Sequence, residues 1–172
     1  MSLLQEYELL RRVPFFAEIE PARLKLLAFM SERVGFDPGK ALCRQGDPAD
    51  AAYLIIEGEA DILVDTPSGP LKLATLGAND IVGEMAILGD VPRTATVQAK
   101  TRIVALRIAK EPFMRMVREF PTMAVSIMRE LAHRLELTNN QLRNALSEVR
   151  RLREGTTPQP AMQPEAGASP AE

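Results

Sequence analysis

The sequence predicts a mainly β protein with flanking helices: an eight-stranded jelly-roll β-barrel followed by a long C-terminal helix. Three observations carry that reading. Between Arg33 and Ile108, short apolar or alternating runs recur, each closed off by Gly, Pro or Asp, the pattern of many short strands joined by tight turns. From Pro121 onward the apolar positions follow helical steps instead. A chain of 172 residues is also long enough to bury one substantial core.

The elements follow in order. Leu3, Leu4, Tyr7, Leu10 and Val13 share one helix face, most simply a helix lying on the barrel. A second helical run spans Pro21 to Phe29. The strands begin with Arg33 to Phe36, Ala41 to Arg44, and Ala52 to Ile56, an apolar run that ends at Glu57-Gly58. Ala60, Ile62 and Val64 then alternate with Asp61 and Leu63, Thr66-Pro67-Ser68-Gly69 turns the chain, and Leu71 to Leu76 alternates again; such runs form hairpins. Thr94 to Ala99 and Ile103 to Ile108 complete a set of about eight. Residues 1–154 are therefore expected to form one binding domain, with N-terminal helices over 1–31, the barrel over 32–109 and C-terminal helices over 111–154. After Glu154 the chain reads GTTPQPAMQPEAGASPAE, without apolar period or basic surface, so 155–172 is expected to be a disordered tail.

The chemistry concentrates in Gly83 to Val97, GEMAILGDVPRTATV. A helix beginning near Glu84 leaves the N–H groups of Met85, Ala86 and Ile87 unpaired at the positive end of its dipole, an end that attracts phosphate. Arg93 adds a planar fork able to hold two phosphate oxygens, and Pro92 stiffens the approach. A carboxylate beside a phosphate repels the ligand unless it touches another part of it. For Glu84 that part is a sugar hydroxyl. Together the groups describe a site for a ribose-phosphate.

This stretch resembles the phosphate-binding cassette of the cyclic-nucleotide-binding domains, whose pattern is approximately F-G-E-x-A-L, several residues, then R-(S/T)-A-(S/T)-V. Here it reads Val82-Gly83-Glu84-Met85-Ala86-Ile87, Leu88-Gly89-Asp90-Val91-Pro92, and Arg93-Thr94-Ala95-Thr96-Val97. The resemblance extends over residues 13–154. It implies the cyclic-nucleotide-binding fold and a ligand site of Gly83, Glu84, Met85, Ala86, Arg93, Thr94 and Ala95. In that site Arg93 pairs with the cyclic phosphate, Glu84 takes the ribose 2′-OH, and Thr94 offers a hydroxyl to phosphate or base, while the N–H groups of Gly83, Met85 and Ala86 complete the cradle. Val82 stands where an aromatic is usual, and Asn79 where a glycine is usual. Asn tolerates a left-handed backbone, so the turn at Asn79 is expected to survive.

An enzyme of the metal-binding jelly-roll kind is the alternative class. Such sites draw on clustered His with carboxylates, and this chain has one histidine, His133, and one cysteine, Cys43. No nucleophile with a plausible base stands out. No enzyme activity, metal or cofactor is expected. With 21 basic against 23 acidic residues, no DNA partner is expected. No run approaches the roughly eighteen apolar residues that cross a membrane, and the start of the chain lacks the form of a signal peptide, so a cytoplasmic location is expected.

Ala124, Met128, Leu131, Leu135, Thr138, Leu142, Ala145, Val149 and Leu152 follow one another by alternating steps of four and three, the seam of a coiled coil. That seam fits a homodimer, or a lid folded back on its own subunit. Ile127 and Leu137 widen it before Thr138, as suits a helix that also covers the barrel. His133 to Asn139 is similar to the long helix of the bacterial catabolite activator proteins. That likeness implies that Thr138 and Asn139 contact the base; a register-fixing role for these polar positions is the other reading. The sequence thus describes a stand-alone sensor that binds cAMP or cGMP and signals through its C-terminal helix to an unknown effector. A ligand-independent dimerisation module and a cyclic-dinucleotide binder are the other readings.

Overall fold

In the computed structural model, which describes residues 3–17 and 19–155, the chain forms two compact units, Met1–Leu131 and Ala132–Glu172. The tail expected over 155–172 lies, from residue 156 on, outside the described residues. The first unit opens with α1 (Leu3–Arg11), a 3-10 turn at Pro14–Phe16 and α2 (Pro21–Phe29). Tyr7 and Leu10 are buried as the helical spacing requires, whereas Leu3 and Leu4 in the first turn of α1 are exposed; Val13, expected on the same face, is buried beyond the end of α1, where it caps the 3-10 turn. Pro21 occupies the first turn of α2, where its missing N–H costs no hydrogen bond.

Eight strands follow: β1 (Glu32–Phe36), β2 (Ala41–Cys43), β3 (Ala51–Glu57), β4 (Ala60–Thr66), β5 (Gly69–Leu76), β6 (Ile81–Val82), β7 (Thr96–Ala99) and β8 (Ile103–Ala109). The expected closed barrel is not formed. The strands divide into two antiparallel four-stranded sheets, in the orders β1-β8-β3-β6 and β2-β7-β4-β5, and no pairing joins the two sheets among the described residues. Alternation along a strand fixes which face is apolar and leaves open which edges pair, so a closed barrel and a sandwich read alike in sequence. Thr94 and Ala95, expected at the start of a strand, precede β7.

Within the β1-β8-β3-β6 sheet the two middle strands, β3 and β8, are buried on both faces. Ala52, Leu54, Leu106 and Ile108 point into a core shared with Leu10, Phe15, Phe16, Leu24, Leu27 and Phe113 of the helical layer. The alternate residues Ala51, Tyr53, Ile55, Ile103 and Ala105 pack between the sheets against Leu42, Ala60, Val97 and Ala99. Period-two alternation in β3 and β8 thus feeds two cores at once, which is why Ala51 to Ile55 reads as a continuous apolar run.

The strands lead into α4 (Lys110–Glu119) and α5 (Pro121–Gly155). Phe120, between them, is extended at φ −128° and ψ 90°, since a residue before proline is pushed out of the helical region. The first turns of α5 bury Met123 and Ile127 and half-bury Leu131, while Met128, placed in the seam by its spacing, is exposed. Within the second unit Leu135, Leu142, Val149 and Leu152 are exposed on the helix, as are Leu137 and Leu146.

Candidate functional site

The candidate site is built around a reversal of the chain after β6. Gly83 caps α3 (Glu84–Leu88) with φ +86°, a left-handed conformation that glycine adopts without steric cost. A side chain there would meet a second obstacle: a Cβ would collide with Arg93 Nη1 and stand 3.2 Å from the Ala51 carbonyl oxygen. Four residues earlier Asn79 is left-handed at φ 72°, and its N–H donates to the Ile55 carbonyl at 2.9 Å. The turn therefore survives without the usual glycine.

Arg93 is the centre of the site. Its backbone is fixed to the Arg44–Asp47 turn by two hydrogen bonds, Gly46 N–H to the Arg93 carbonyl and Arg93 N–H to the Asp47 carbonyl, both 2.8 Å. Its side chain is 4% exposed and held on several sides. Nη1 donates to the Gly83 carbonyl at 3.3 Å, and Nη2 to the Ala51 carbonyl at 2.6 Å and to Asp50 Oδ1 at 3.1 Å. Nε is buried and has no hydrogen-bond partner among the described residues. An open donor on a buried cation costs about 1–3 kcal/mol or more, and an acceptor brought by a ligand removes that cost.

Asp50 carries its other oxygen to Arg107, whose Nη2 donates to Oδ2 at 2.7 Å. Partial burial raises the Asp50 pKa, but the Arg107 hydrogen bond and charge, assisted by Arg93, outweigh it and hold the carboxyl below its ordinary range. Arg107 is in turn raised, chiefly by the hydrogen bond to Asp50, with a smaller contribution from Tyr53, its cross-strand partner. A cavity of about 430 Å³ opens beside this group, lined by Leu42, Cys43, Asp47, Pro48, Asp50, Tyr53 and Arg93. Its size lies in the range of small-molecule sites.

The expected site residues are distributed unevenly. Gly83 and Arg93 are in contact. Glu84, 3% exposed, is buried next to Gly83 in the chain and is not among the residues lining the cavity. Ala86 is buried, Met85 exposed, Ala95 half-buried and Thr94 exposed. Thr138 and Asn139 are exposed on α5, where the Thr138 hydroxyl donates to the Arg134 carbonyl at 2.9 Å. Sequence reasoning missed Asp50, Tyr53 and Arg107. Arg107 left a signal, being the one charged residue in the otherwise apolar run Ile103 to Ile108. Asp50 had none beyond its place just after the Gly46 turn.

The fold is thus a β-sandwich that buries an arginine beside a cavity, with its Nε left without an acceptor among the described residues. The chain belongs to the cyclic nucleotide-binding domain family, whose model matches residues 33–120. It is 31% identical over 136 residues to a CRP-like cAMP-activated global transcriptional regulator of Mycobacterium tuberculosis, covering 78% of this chain and 61% of that protein. It is 37% identical over 109 residues to a cAMP-dependent protein kinase regulatory subunit of Yarrowia lipolytica, covering 63% of this chain and 28% of that one. The chain thus spans less than two thirds of the length of these relatives. Among solved structures, the sensor domain of the transcriptional regulator DNR from Pseudomonas aeruginosa superposes with a TM-score of 0.71 at 26% identity, over 80% of this chain and 93% of that chain. No helix among the described residues is long and apolar enough to cross a membrane.

Proposed function

We propose that this chain is a regulatory domain, not an enzyme, that binds cAMP between its two sheets, with the strands wound as a jelly roll, and passes the signal through α5 to a partner. The observation that carries the reading is the buried Arg93 with its unpartnered Nε at the cavity, inside the stretch that the family model matches. Arg93 takes the cyclic phosphate. Its Nε–H is open, and a second bond from Nη2 is made at the expense of the Asp50 contact, so binding loosens the Arg93–Asp50 pair and leaves Asp50 to Arg107. Glu84 accepts the ribose 2′-OH, the backbone of Gly83, Met85 and Ala86 supports the phosphate, and Thr94 and Ala95 border it. Thr138 and Asn139 read the base once α5 closes. The names of the two curated relatives support cAMP over cGMP.

The exposed apolar residues Leu135, Leu142 and Val149 fall on the predicted seam and support a homodimer through α5. Isothermal calorimetry with cAMP, cGMP and a cyclic dinucleotide tests the ligand, and sedimentation equilibrium tests the dimer. Tight binding of cAMP that weakens on Arg93→Ala is the expected result. Failure of all three ligands to bind leaves the ligand-independent interaction module as the function.

A further inference from the structure

Cys43, the only cysteine of the chain, lines the same cavity as Arg93. It ends β2 and pairs with Val97 of β7, a position that leaves its thiol half-buried at the cavity wall. The Arg93 side chain, which lines the cavity, carries a buried donor with no acceptor among the described residues, Nε. A half-buried cysteine and a buried cation with an unmet hydrogen bond therefore line one cavity. With no second cysteine in the chain, any disulfide formed at Cys43 joins it to another molecule.

Burial pushes the Cys43 thiol up, and the Arg93 charge is the largest opposing influence, with Asp47 and Asp50 acting weakly on the side of burial. At rest the thiol is protonated and reacts slowly. The Arg93 charge and a backbone hydrogen bond from Val97 offset part of that burial effect.

We propose that Cys43 is a modification site within the nucleotide cavity, taking a carboxylate-bearing low-molecular-weight disulfide, and that this adduct and the cyclic nucleotide exclude one another. The inference rests on the ligand reading above. In the step itself Cys43 loses its proton, and its sulfur attacks one sulfur of the small disulfide. The new S–S bond forms as the old one breaks, and the departing half leaves as a thiolate that takes up the proton. Cys43 is oxidised and the small disulfide reduced. The half that stays brings carboxylate oxygens, the acceptors that Arg93 Nε–H lacks, into space the nucleotide needs. A reducing thiol reverses the exchange.

Oxidised glutathione is the probe, and intact-mass spectrometry of the folded full chain is the first readout. One adduct on Cys43 is expected, forming more slowly under saturating cAMP. Calorimetry of the adduct is expected to show cAMP affinity reduced at least about tenfold and restored by dithiothreitol. Cys43→Ser takes up no adduct, and its cAMP affinity is the same with and without oxidised glutathione. No adduct on the folded chain, an adduct that binds cAMP as before, or a reaction that bound cAMP does not slow overturns the proposal while leaving the ligand reading intact. If the untreated protein binds no cAMP, the ligand reading and the mutual exclusion fall together. The modification site is then decided by comparing oxidised glutathione with the cationic disulfide cystamine, each rate divided by its rate on urea-unfolded chain. A preference for the carboxylate-bearing disulfide of at least about threefold supports the site, and equal ratios overturn it.

Discussion

Two segments are read as meeting one ligand, and they treat their polar groups in opposite ways. In the Gly83–Val97 segment the fold holds the charged side chains in advance. Arg93 is buried and fixed by the carbonyls of Gly83 and Ala51, by Asp50 and, through its backbone, by the Arg44–Asp47 turn. In α5, Thr138 and Asn139 are exposed, and the Thr138 hydroxyl is returned to its own helix. On the reading proposed above, the difference teaches that the anion is met by groups the β-sandwich already holds in place, whereas the base is met by a hydroxyl still bonded to its own helix. A prepared site loses affinity sharply when cut; an unprepared one loses little.

Removing the centre of the prepared site gives the largest effect. Arg93→Ala is expected to weaken cAMP binding by roughly 2–5 kcal/mol, about thirtyfold to several thousandfold, as measured by calorimetry. It also leaves Asp50 with Arg107 as its remaining partner in this group. A circular-dichroism spectrum unchanged from the wild type separates lost binding from lost folding. Affinity equal to that of the unchanged protein would exclude Arg93 from the site.

Gly83→Ala comes next, because it strikes the same guanidinium from the other side. The alanine must hold a left-handed backbone, and its Cβ collides with Arg93 Nη1. Together these are expected to cost about 1–3 kcal/mol of folding stability, read as a lower denaturant midpoint, with weaker cAMP binding as Arg93 shifts. Gly39→Ala is the control: its φ is also positive, at +82°, but a Cβ there meets nothing within 4 Å. The excess of the Gly83 effect over the Gly39 effect measures the collision. Equal losses would mean that Arg93 moves aside freely and that the site is less rigid than its hydrogen bonds imply.

The same contrast explains what the sequence made legible. Strands such as Ala60–Thr66 and the span of α5 were readable, because alternation and heptad steps are set by one element's own faces. β6 was not, since two residues, Ile81–Val82, are too few to show a period. Closure of the barrel was not legible either, being decided by pairing between strand edges. Within the site, Gly83, Glu84 and Arg93 lie close together in one continuous motif and could be read as a unit. Asp50, just before β3, reaches Arg93, and Arg107 of β8 reaches Asp50, only through the fold. The exposed position of Met128 and the burial of Met123 show the helical stripe displaced by one residue from the predicted seam, a rotation that tertiary packing sets and helical spacing alone cannot.

Asp50 links the prepared site to acid stability. Its folded-state pKa is depressed, so its ion pairs contribute fully above the ordinary aspartate pKa, and the contribution is lost as the pH falls through that value toward the folded one. Asp50→Asn is therefore expected to be less stable than the wild type at neutral pH and to converge with it in acid. Thermal melts across that window check this. Because the carboxylate is largely exposed, the gap is expected to be modest, and parallel melting curves with no convergence would assign the Arg93 geometry to the two carbonyls instead.

Thr138→Ala is the smallest change and the one that bears most directly on the unprepared segment. The hydroxyl is exposed and bonded to a carbonyl that its helix already engages, so folding stability is expected to stay within about 0.5 kcal/mol of the wild type. Affinity for cAMP should nevertheless fall by about 0.5–1.5 kcal/mol, the net worth of one hydrogen bond to a base, with a smaller change for a ligand whose base lacks the matching group. The mutation thus separates two roles that a larger one would merge, since a register-fixing hydroxyl would alter oligomeric mass and leave the ratio of cAMP to cGMP affinity untouched. A shift in that ratio at constant mass places the Thr138 hydroxyl at the base, and a shift in mass at constant ratio places it in the seam.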